Sequence, residues 1–292
     1  MRKTEIPSTE NLGHGHLACA GCGAAISMRL TLKAIGEKIV MVFPASCWSI
    51  IPGSWPYSSF RITAIHAGFV TGGATASGVR AALDIRGDRE TLVAVWAGDG
   101  GTFDIGLQSL SGAAERNEDF LYICNDNEGY MNTGTQRSSA TPLFAWTTTT
   151  PVMQPKENPK KDIMAIMADH QIPYAATATI AYPEDFLRKI EKAKKIRGTR
   201  FIHLLSPCPP GWRISSELSV KISRLAVRSR VFPLYEIENG RSYTIQEESQ
   251  VVPVKEYLKL QGRFNHLKEE DLEEIQRRVD DAWERLLRRA RC

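Results

Sequence analysis

Residues 91–101, TLVAVWAGDGG, decide the fold of this chain. Residues 92–97 are all apolar, and such a run is typical of a strand buried on both faces of a parallel sheet. The strand ends in glycines, and DIGLQSLSGAAERN (104–117) follows with the apolar spacing of a helix. A second apolar strand, FLYICNDN (120–127), comes next. This order predicts an α/β fold in which a mostly parallel sheet carries helices on both faces.

The same alternation continues on both sides of this unit. Apolar residues at helical spacing predict further helices over 24–35, 66–85, 162–170 and 183–196. Short apolar runs predict further strands over 38–43, 172–180 and 200–208. A chain of 292 residues, of which 42% are hydrophobic, is long enough to bury a substantial core around them.

The pattern changes after Cys208. PLYEIENGRSYTI (233–245) predicts a hairpin that turns at Asn239 and Gly240. From about Lys268 the chain carries apolar residues on one side of a final amphipathic helix. We therefore divide the chain into an α/β domain, residues 1–212, and a C-terminal extension, residues 213–292, which packs on that domain or on a partner subunit.

Composition excludes several classes of function. The net charge is +4, and basic residues alternate with acidic ones, so no nucleic-acid-binding patch is predicted. No apolar stretch of membrane-spanning length and no signal peptide are recognisable, which predicts a cytoplasmic protein with no membrane partner. In a reducing compartment, six cysteines favour metal or redox chemistry over disulfides.

The glycine-rich turn after the first strand is a candidate phosphate and metal site. Glycines allow a phosphate to approach the backbone, and a helix start offers unpaired N–H groups. Asp99 lies in this turn, and Asn127 follows the next strand, 28 residues later. Adjacent parallel strands would bring both to one sheet edge, where their side chains and the Gly129 carbonyl could bind Mg²⁺. This spacing of a Gly-Asp-Gly turn and an asparagine resembles the signature of thiamine diphosphate enzymes.

Four cysteines are candidates for a second metal centre. Cys19 and Cys22 have the spacing of a metal clip, but no second close pair follows, as a structural zinc site commonly requires. Cys47 and Cys208 each follow a predicted strand and are therefore expected at the same edge of the sheet. Four thiolates of this kind suit a [4Fe–4S] cluster, with zinc as the alternative.

The other two cysteines and two tryptophans are assigned different roles. Cys124 lies within a predicted strand and is expected to be a buried, unreactive thiol, whereas Cys292 is expected to be free. Trp48 and Trp55 either shield the proposed cluster from water or pack in the core. Trp48 could also reshape a substrate pocket.

Long motifs carry a resemblance to a known family. The chain resembles the β subunit of 2-oxoacid:ferredoxin oxidoreductases of the pyruvate synthase type over nearly its whole length. The matching motifs are CAGCG (19–23), GDGGTFDIGLQSLSGAAER (98–116), YICNDNEGYMNTGTQRSSATP (122–142), TTTTP (147–151), SPCPPGWR (206–213) and YLKLQGRF (257–264).

The resemblance implies a set of site residues. It implies that the [4Fe–4S] cluster is bound by Cys19, Cys22, Cys47 and Cys208. It implies that Mg²⁺ is bound by Asp99, Asn127 and Gly129. The residues implied to contact thiamine diphosphate are Gly98, Asp99, Gly100, Gly101, Asn127, Glu128, Gly129, Tyr130, Met131, Asn132 and Cys47. Asn132 would face the bound 2-oxoacid and Ile50 would support the thiazolium ring. We add His66, at a predicted strand-to-helix turn, as a candidate contact for substrate or cofactor.

The resemblance also implies an activity and partners. The expected reaction is the reversible oxidative decarboxylation of a 2-oxoacid, foremost pyruvate, to acetyl-CoA and CO₂. Electrons would pass singly to ferredoxin. An α subunit would supply part of the pocket and the glutamate that activates thiamine, beside γ and δ ferredoxin-like subunits and coenzyme A.

Other readings of the motifs remain open. Within the same family, oxalate or a branched or aryl 2-oxoacid is an alternative substrate. A non-redox thiamine-dependent lyase explains the glycine-rich turn but leaves the four cysteines without a task. An electron-transfer or zinc-stabilised binding module explains the cysteines but ignores the turn.

Overall fold

An eight-stranded sheet forms the centre of the molecule. The computed structural model describes residues 6–54, 56–246 and 250–291. The strands are β1 (Ile39–Pro44), β2 (Thr63–Ala67), β3 (Leu92–Gly98), β4 (Phe120–Asp126), β5 (Tyr174–Thr179), β6 (Thr199–Leu205), β7 (Tyr235–Glu238) and β8 (Ser242–Ile245). Their spatial order is β2-β1-β3-β4-β6-β5-β7-β8. The first six are parallel, and the β7–β8 hairpin adds to β5 in antiparallel orientation.

Helices cover this sheet. The α-helices are α1 (Gly23–Ile35), α2 (Gly72–Ile85), α3 (Leu107–Glu115), α4 (Ile163–Asp169), α5 (Pro183–Lys195), α6 (Pro209–Trp212), α7 (Ser219–Arg228), α8 (Val254–Leu258) and α9 (Glu269–Arg291). Two large buried clusters lie on opposite faces of the sheet. One packs Met28 of α1 and Phe186 of α5 under the sheet, and the other packs Leu110 of α3 and Met167 of α4. The predicted α/β fold with helices on both faces is confirmed.

The strand order creates a switch point. From β1 the chain goes to β2 on one side and then returns to β3 on the other. In open α/β sheets ligands bind at the carboxyl edge where the strand order reverses in this way. The strand order therefore predicts a ligand site at the segments that follow β1 and β3.

The sequence prediction placed the start of one helix too early. Residues 66–85 were expected to form a helix, but His66 and Ala67 end β2, and α2 begins at Gly72. β2 lies at the edge of the sheet, and its exposed and half-buried side chains lack the continuous apolar run that marks the other parallel strands. Its pairing with β1 sets His66 opposite Phe43.

The C-terminal extension is built onto the same sheet. The predicted hairpin at Asn239 and Gly240 is confirmed as β7 and β8. Helix α9 contacts α8 and β8, buries Leu286, and accepts a hydrogen bond from the Val254 N–H at the Gln276 side chain (2.8 Å). Most of its other side chains are half-buried or exposed. None of the described helices combines the length and the apolar character that a bilayer crossing requires.

Two glycines of α2 give a paired stability prediction. A Cβ at Gly73 would lie 2.4 Å from the Ser109 carbonyl oxygen, where α2 packs against α3. We expect Gly73→Ala to lower the free energy of unfolding by about 1–3 kcal/mol, since the clash is with backbone. A Cβ at Gly78 would meet nothing within 4 Å. Gly78→Ala should therefore stabilise the helix by about 0.5–1 kcal/mol. Urea unfolding of both variants measures this, and equal shifts would contradict the packing argument.

Candidate functional site at the carboxyl edge of the sheet

Four neighbouring strands end at the carboxyl edge of the sheet, and predicted site residues lie in the segments that follow them. β1, β3, β4 and β6 lie side by side, and the segments after them carry Cys47, Asp99, Asn127 and Cys208 respectively. Gly98 pairs with Asn125 across β3 and β4, and Asp126 pairs with Leu205 across β4 and β6. The expectation that Asp99 and Asn127 follow adjacent parallel strands is confirmed.

Three oxygen-bearing groups converge after β3 and β4. The side-chain amide of Asn127 has one atom 2.8 Å from the Gly129 carbonyl oxygen and 3.0 Å from Asp99 Oδ1. If this atom is the nitrogen, it donates to both oxygens; if it is the oxygen, three oxygens face one another. The second arrangement is the ligand type that hard divalent cations prefer. The geometry of Asp99, Asn127 and Gly129 thus fits Mg²⁺.

Asp99 is buried in surroundings that disfavour its negative charge. Its side chain is 1% exposed, and its Oδ2 accepts a short hydrogen bond from the Ser138 hydroxyl. Burial, followed by the nearby charge of Asp126, raises the pKa of Asp99 well above its ordinary value. A bound cation would favour the ionised carboxylate, so this environment fits a metal ligand.

The glycines of the turn pack against aromatic rings. A Cβ at Gly100 would lie 2.3 Å from the Tyr130 ring, and one at Gly101 would lie 3.2 Å from Phe69. Tyr130 is held in place by its hydroxyl, which donates to Asp104 Oδ2 (2.7 Å). Gly98 differs, because its nearest neighbour would be the Ser46 Cβ at 3.7 Å. Close packing within the chain therefore accounts for Gly100 and Gly101, and Gly98 leaves room for a ligand.

The cysteine segments pack directly against one another. The Gly23 N–H donates to the Pro207 carbonyl (3.0 Å), and a Cβ at Gly23 would lie 2.9 Å from the Pro207 backbone. Gly21 has a positive φ of 71°, and its missing Cβ would lie 2.1 Å from the Ser216 carbonyl oxygen. The residues around the Cys19 and Cys22 clip thus fix it beside the segment that carries Cys208.

The four thiols influence one another electrostatically. Burial, followed by the charges of Cys22 and Asp99, raises the pKa of Cys47 to about 11. Burial also raises the pKa of Cys208 to about 12; the Gly211 N–H opposes this, and the charges of Cys22, Cys47 and Cys19 add to it. Such thiols ionise together only when a cationic centre compensates their charge. This mutual repulsion fits a shared metal centre.

Backbone N–H groups oppose the rise in pKa that burial causes in three of these thiols. Ala24 and Ala25, at the start of α1, act in this way on Cys22, Gly211 acts on Cys208, and Asn132 acts on Cys47. N–H groups near a sulfur atom favour the thiolate and tune the potentials of iron–sulfur clusters.

Among the residues that the structure describes, no group of three or more His, Cys, Asp or Glu side chains is arranged to hold a metal ion. The assignment of Cys19, Cys22, Cys47 and Cys208 to a [4Fe–4S] cluster, with zinc as the alternative, stays a prediction.

Three further predicted site residues are exposed. Ile50 is 53% exposed and follows the short 3₁₀ turn Cys47–Ser49, and Asn132 and His66 are also exposed. Trp48, in contrast, is fully buried and packs against Phe60 and Trp96, which is the core-packing role. Trp55 and Cys292 lie outside the described residues.

Glu128 has a different environment from its neighbours. Its side chain is 2% exposed and is bound by Lys160 Nζ (2.9 Å) and Arg263 Nη2 (2.5 Å). Both carboxylate oxygens are therefore already paired within the chain. Contact between this side chain and a cofactor stays a prediction, and any contribution to a cofactor site is more readily made by its backbone.

A buried charge network behind the site was not recognised in the sequence. Asp126 is bound by His203 Nε2 (2.7 Å) and by Lys160, which also reaches Glu128. Burial opposes ionisation of Asp126, but Lys160 and then His203 outweigh it and bring its pKa to about 2. Lys160 and His203 carry no local pattern that could have identified them. Arg263 lies in the quoted motif YLKLQGRF, which was the available signal.

A cavity away from this edge lies beside α9. It has a volume of about 600 Å³, and its lining includes Phe232, Trp283 and Leu286. Of the predicted site residues only Glu128 lines it.

Several known proteins are similar to this chain in sequence. A family model described as "Thiamine pyrophosphate enzyme, C-terminal TPP binding domain" matches residues 52–204. The chain is 50% identical to ketoisovalerate oxidoreductase subunit VorB of Pyrococcus abyssi, over 98% of this chain and 95% of that protein. It is 48% identical to pyruvate synthase subunit PorB of Methanocaldococcus jannaschii, over 95% of this chain and 96% of that protein.

A solved structure shares the fold. A chain of the 2-oxoglutarate:ferredoxin oxidoreductase from Magnetococcus marinus aligns with a TM-score of 0.57 and 22% identity. The alignment covers 76% of this chain and 78% of that one.

Proposed function

The chain belongs to the β subunits of 2-oxoacid:ferredoxin oxidoreductases, and from this premise we propose that it holds thiamine diphosphate, Mg²⁺ and a [4Fe–4S] cluster at the carboxyl edge of its sheet. The observation that carries the proposal is the meeting of two donor sets after neighbouring strands. One is the oxygen set of Asp99, Asn127 and Gly129, and the other contains Cys47 and Cys208.

Each donor set has a defined task in this proposal. Asp99, Asn127 and the Gly129 carbonyl hold Mg²⁺ and through it the diphosphate, and Cys19, Cys22, Cys47 and Cys208 hold the cluster. When bound, thiamine diphosphate supplies the electron sink for decarboxylation and the cluster accepts single electrons.

The chain's own residues position these groups. The Ser138 hydroxyl donates to Asp99 and so orients it, and the backbone of Asn132 favours the thiolate form of Cys47. The exposed Ile50 side chain would support the thiazolium ring, and Asn132 and His66, which are also exposed, would contact the 2-oxoacid.

Partner subunits complete the site in this proposal. The Glu128 carboxylate is paired with Lys160 and Arg263, so it is unsuited to activate the pyrimidine ring. An α subunit supplies that glutamate and the rest of the pocket, and γ and δ subunits pass electrons to ferredoxin in the cytoplasm. Coenzyme A receives the acyl group.

The proposed substrate is a 2-oxoacid with a short aliphatic side chain. Pyruvate is the first expectation from the sequence. The relative named for ketoisovalerate, a branched 2-oxoacid, is 50% identical, and the one named for pyruvate is 48% identical. These identities support both substrates almost equally.

Assays of the assembled enzyme test the proposal. We expect 2-oxoacid-dependent reduction of a low-potential viologen dye with pyruvate or ketoisovalerate. 2-Oxoglutarate, an aryl 2-oxoacid and oxalate serve as comparison substrates. The isolated chain, with thiamine diphosphate, Mg²⁺ and cluster restored, should show less than about 1% of this rate. It lacks the glutamate of the α subunit, and proton transfer by a positioned side chain typically raises a reaction rate by about 10²–10⁴-fold. Full activity of the isolated chain would contradict the partner assignment.

A further inference from the structure

The residue between the two proposed Mg²⁺ ligands of the β4 segment is held in an unusual conformation. Glu128 has a φ of 67°, which is the left-handed region that non-glycine residues rarely adopt. Such a conformation persists only when the surroundings fix it. We call residues 127–129 the metal-ligand segment. The contacts that hold Glu128 therefore also fix Asn127 and Gly129.

Arg263 of the C-terminal extension makes the most extensive of these contacts. Its guanidinium is 1% exposed, donates from Nη2 to Glu128 Oε2 (2.5 Å), and donates from Nε and Nη2 to Gln261 Oε1 (3.0 and 2.8 Å). The guanidinium carbon lies 4.0 Å from the centre of the Trp212 ring system. The planar group is thus fixed on its face and on its edge, which an ammonium could not reproduce.

Trp212 forms the second connection to the metal-ligand segment. Its indole Nε1–H donates to the Asn127 carbonyl oxygen (2.7 Å), and the side chain is fully buried. Trp212 ends α6, which begins directly after Cys208, and its own N–H donates to the Cys208 carbonyl (2.8 Å). One buried stack therefore joins the extension, the Cys208 segment and the metal-ligand segment.

We propose that Arg263 and Trp212 are positioning residues for the metal-ligand segment, so that the C-terminal extension, through Arg263, and the Cys208 segment, through Trp212, set the affinity of the site for Mg²⁺ and thiamine diphosphate. The proposal rests on the proposed function above. Arg263 holds Glu128 by its carboxylate, and Trp212 holds Asn127 by its carbonyl. Together they orient the Asn127 side chain and the Gly129 carbonyl toward Asp99.

The test uses the assembled enzyme freed of Mg²⁺ and thiamine diphosphate. Calorimetric titrations give the dissociation constant of thiamine diphosphate at saturating Mg²⁺ and the half-saturating Mg²⁺ concentration at saturating thiamine diphosphate. We expect Arg263→Lys to raise both by about 10-fold or more, which is the loss typical of an outer partner of a metal ligand. The iron content and visible absorption of the cluster should stay at the parent level.

A second variant keeps the ring stack. Trp212→Phe retains an aromatic face for Arg263 but removes the N–H that binds the Asn127 carbonyl. We expect it to raise the same two constants in the same direction. If Arg263→Lys does not fold, the binding constants of Trp212→Phe still test the proposal.

Arg200→Lys is the matched control for a purely structural effect. Arg200 is likewise 1% exposed and ion-paired, but to Asp119, at the amino end of β6. It should lower the melting temperature and leave both binding constants unchanged. If Arg263→Lys and Trp212→Phe bind thiamine diphosphate and Mg²⁺ as the parent does, this inference is overturned but the proposed function is not. A parent enzyme that binds no thiamine diphosphate would instead overturn the proposed function.

Discussion

The assembled Cys208→Ser enzyme is expected to lose the visible absorption of its iron–sulfur cluster in this chain. Burial raises the pKa of the Cys208 thiol to about 12, and the charges of Cys22, Cys47 and Cys19 add to this rise. A serine hydroxyl is a harder and much weaker acid than a thiol, and clusters are held by thiolates. We expect iron and acid-labile sulfide bound by this chain to fall below about one tenth of the parent value. Anaerobic purification followed by absorption and iron analysis measures this.

Cys124→Ser provides the control for cysteine loss as such. Cys124 is fully buried inside β4, and burial raises its pKa well above the ordinary value. It is a structural thiol, so this variant should keep the cluster. Parent-like iron in Cys208→Ser, or its loss in Cys124→Ser, would contradict the assignment of the four ligands.

The interior of the sheet could be predicted from the sequence because its signal is local. β3, β4 and β6 are almost wholly buried, and each appears in the sequence as an apolar run. Parallel strands that follow one another through a helix then place their ends at one edge. The sequence alone therefore predicts that Asp99 and Asn127 follow adjacent strands at one edge.

Elements whose stability depends on distant partners could not be predicted in this way. Edge strand β2 has partly exposed residues, and its last two residues, His66 and Ala67, were included in the predicted helix. Considered alone, Gly100 suits the close approach of a phosphate. In the structure a Cβ at this position would clash with the ring of Tyr130, which lies thirty residues later in the chain. The contact between Glu128 and Arg263 spans 135 residues and leaves no periodic trace in the sequence.

The Asp99→Asn enzyme is expected to lose thiamine diphosphate binding while remaining folded. Asp99 is the single carboxylate among the three proposed Mg²⁺ donors, and its replacement removes the charge that favours a divalent cation. Loss of a direct ligand should exceed the roughly 10–100-fold effect of an outer partner. We therefore expect affinity for thiamine diphosphate with Mg²⁺ to fall at least about 100-fold, measured by calorimetry, and 2-oxoacid oxidation to fall with it.

The fold should tolerate this change for a physical reason. Asparagine has nearly the shape of aspartate, and its carbonyl can still accept the hydrogen bond from Ser138. A neutral amide also replaces a carboxylate that is 1% exposed, so the metal-free variant should melt no lower than the metal-free parent. Asp169→Asn, at the exposed end of α4, should leave both affinity and melting temperature unchanged. Parent-like binding in Asp99→Asn would exclude Asp99 as a metal ligand, because no structural loss would then mask its role.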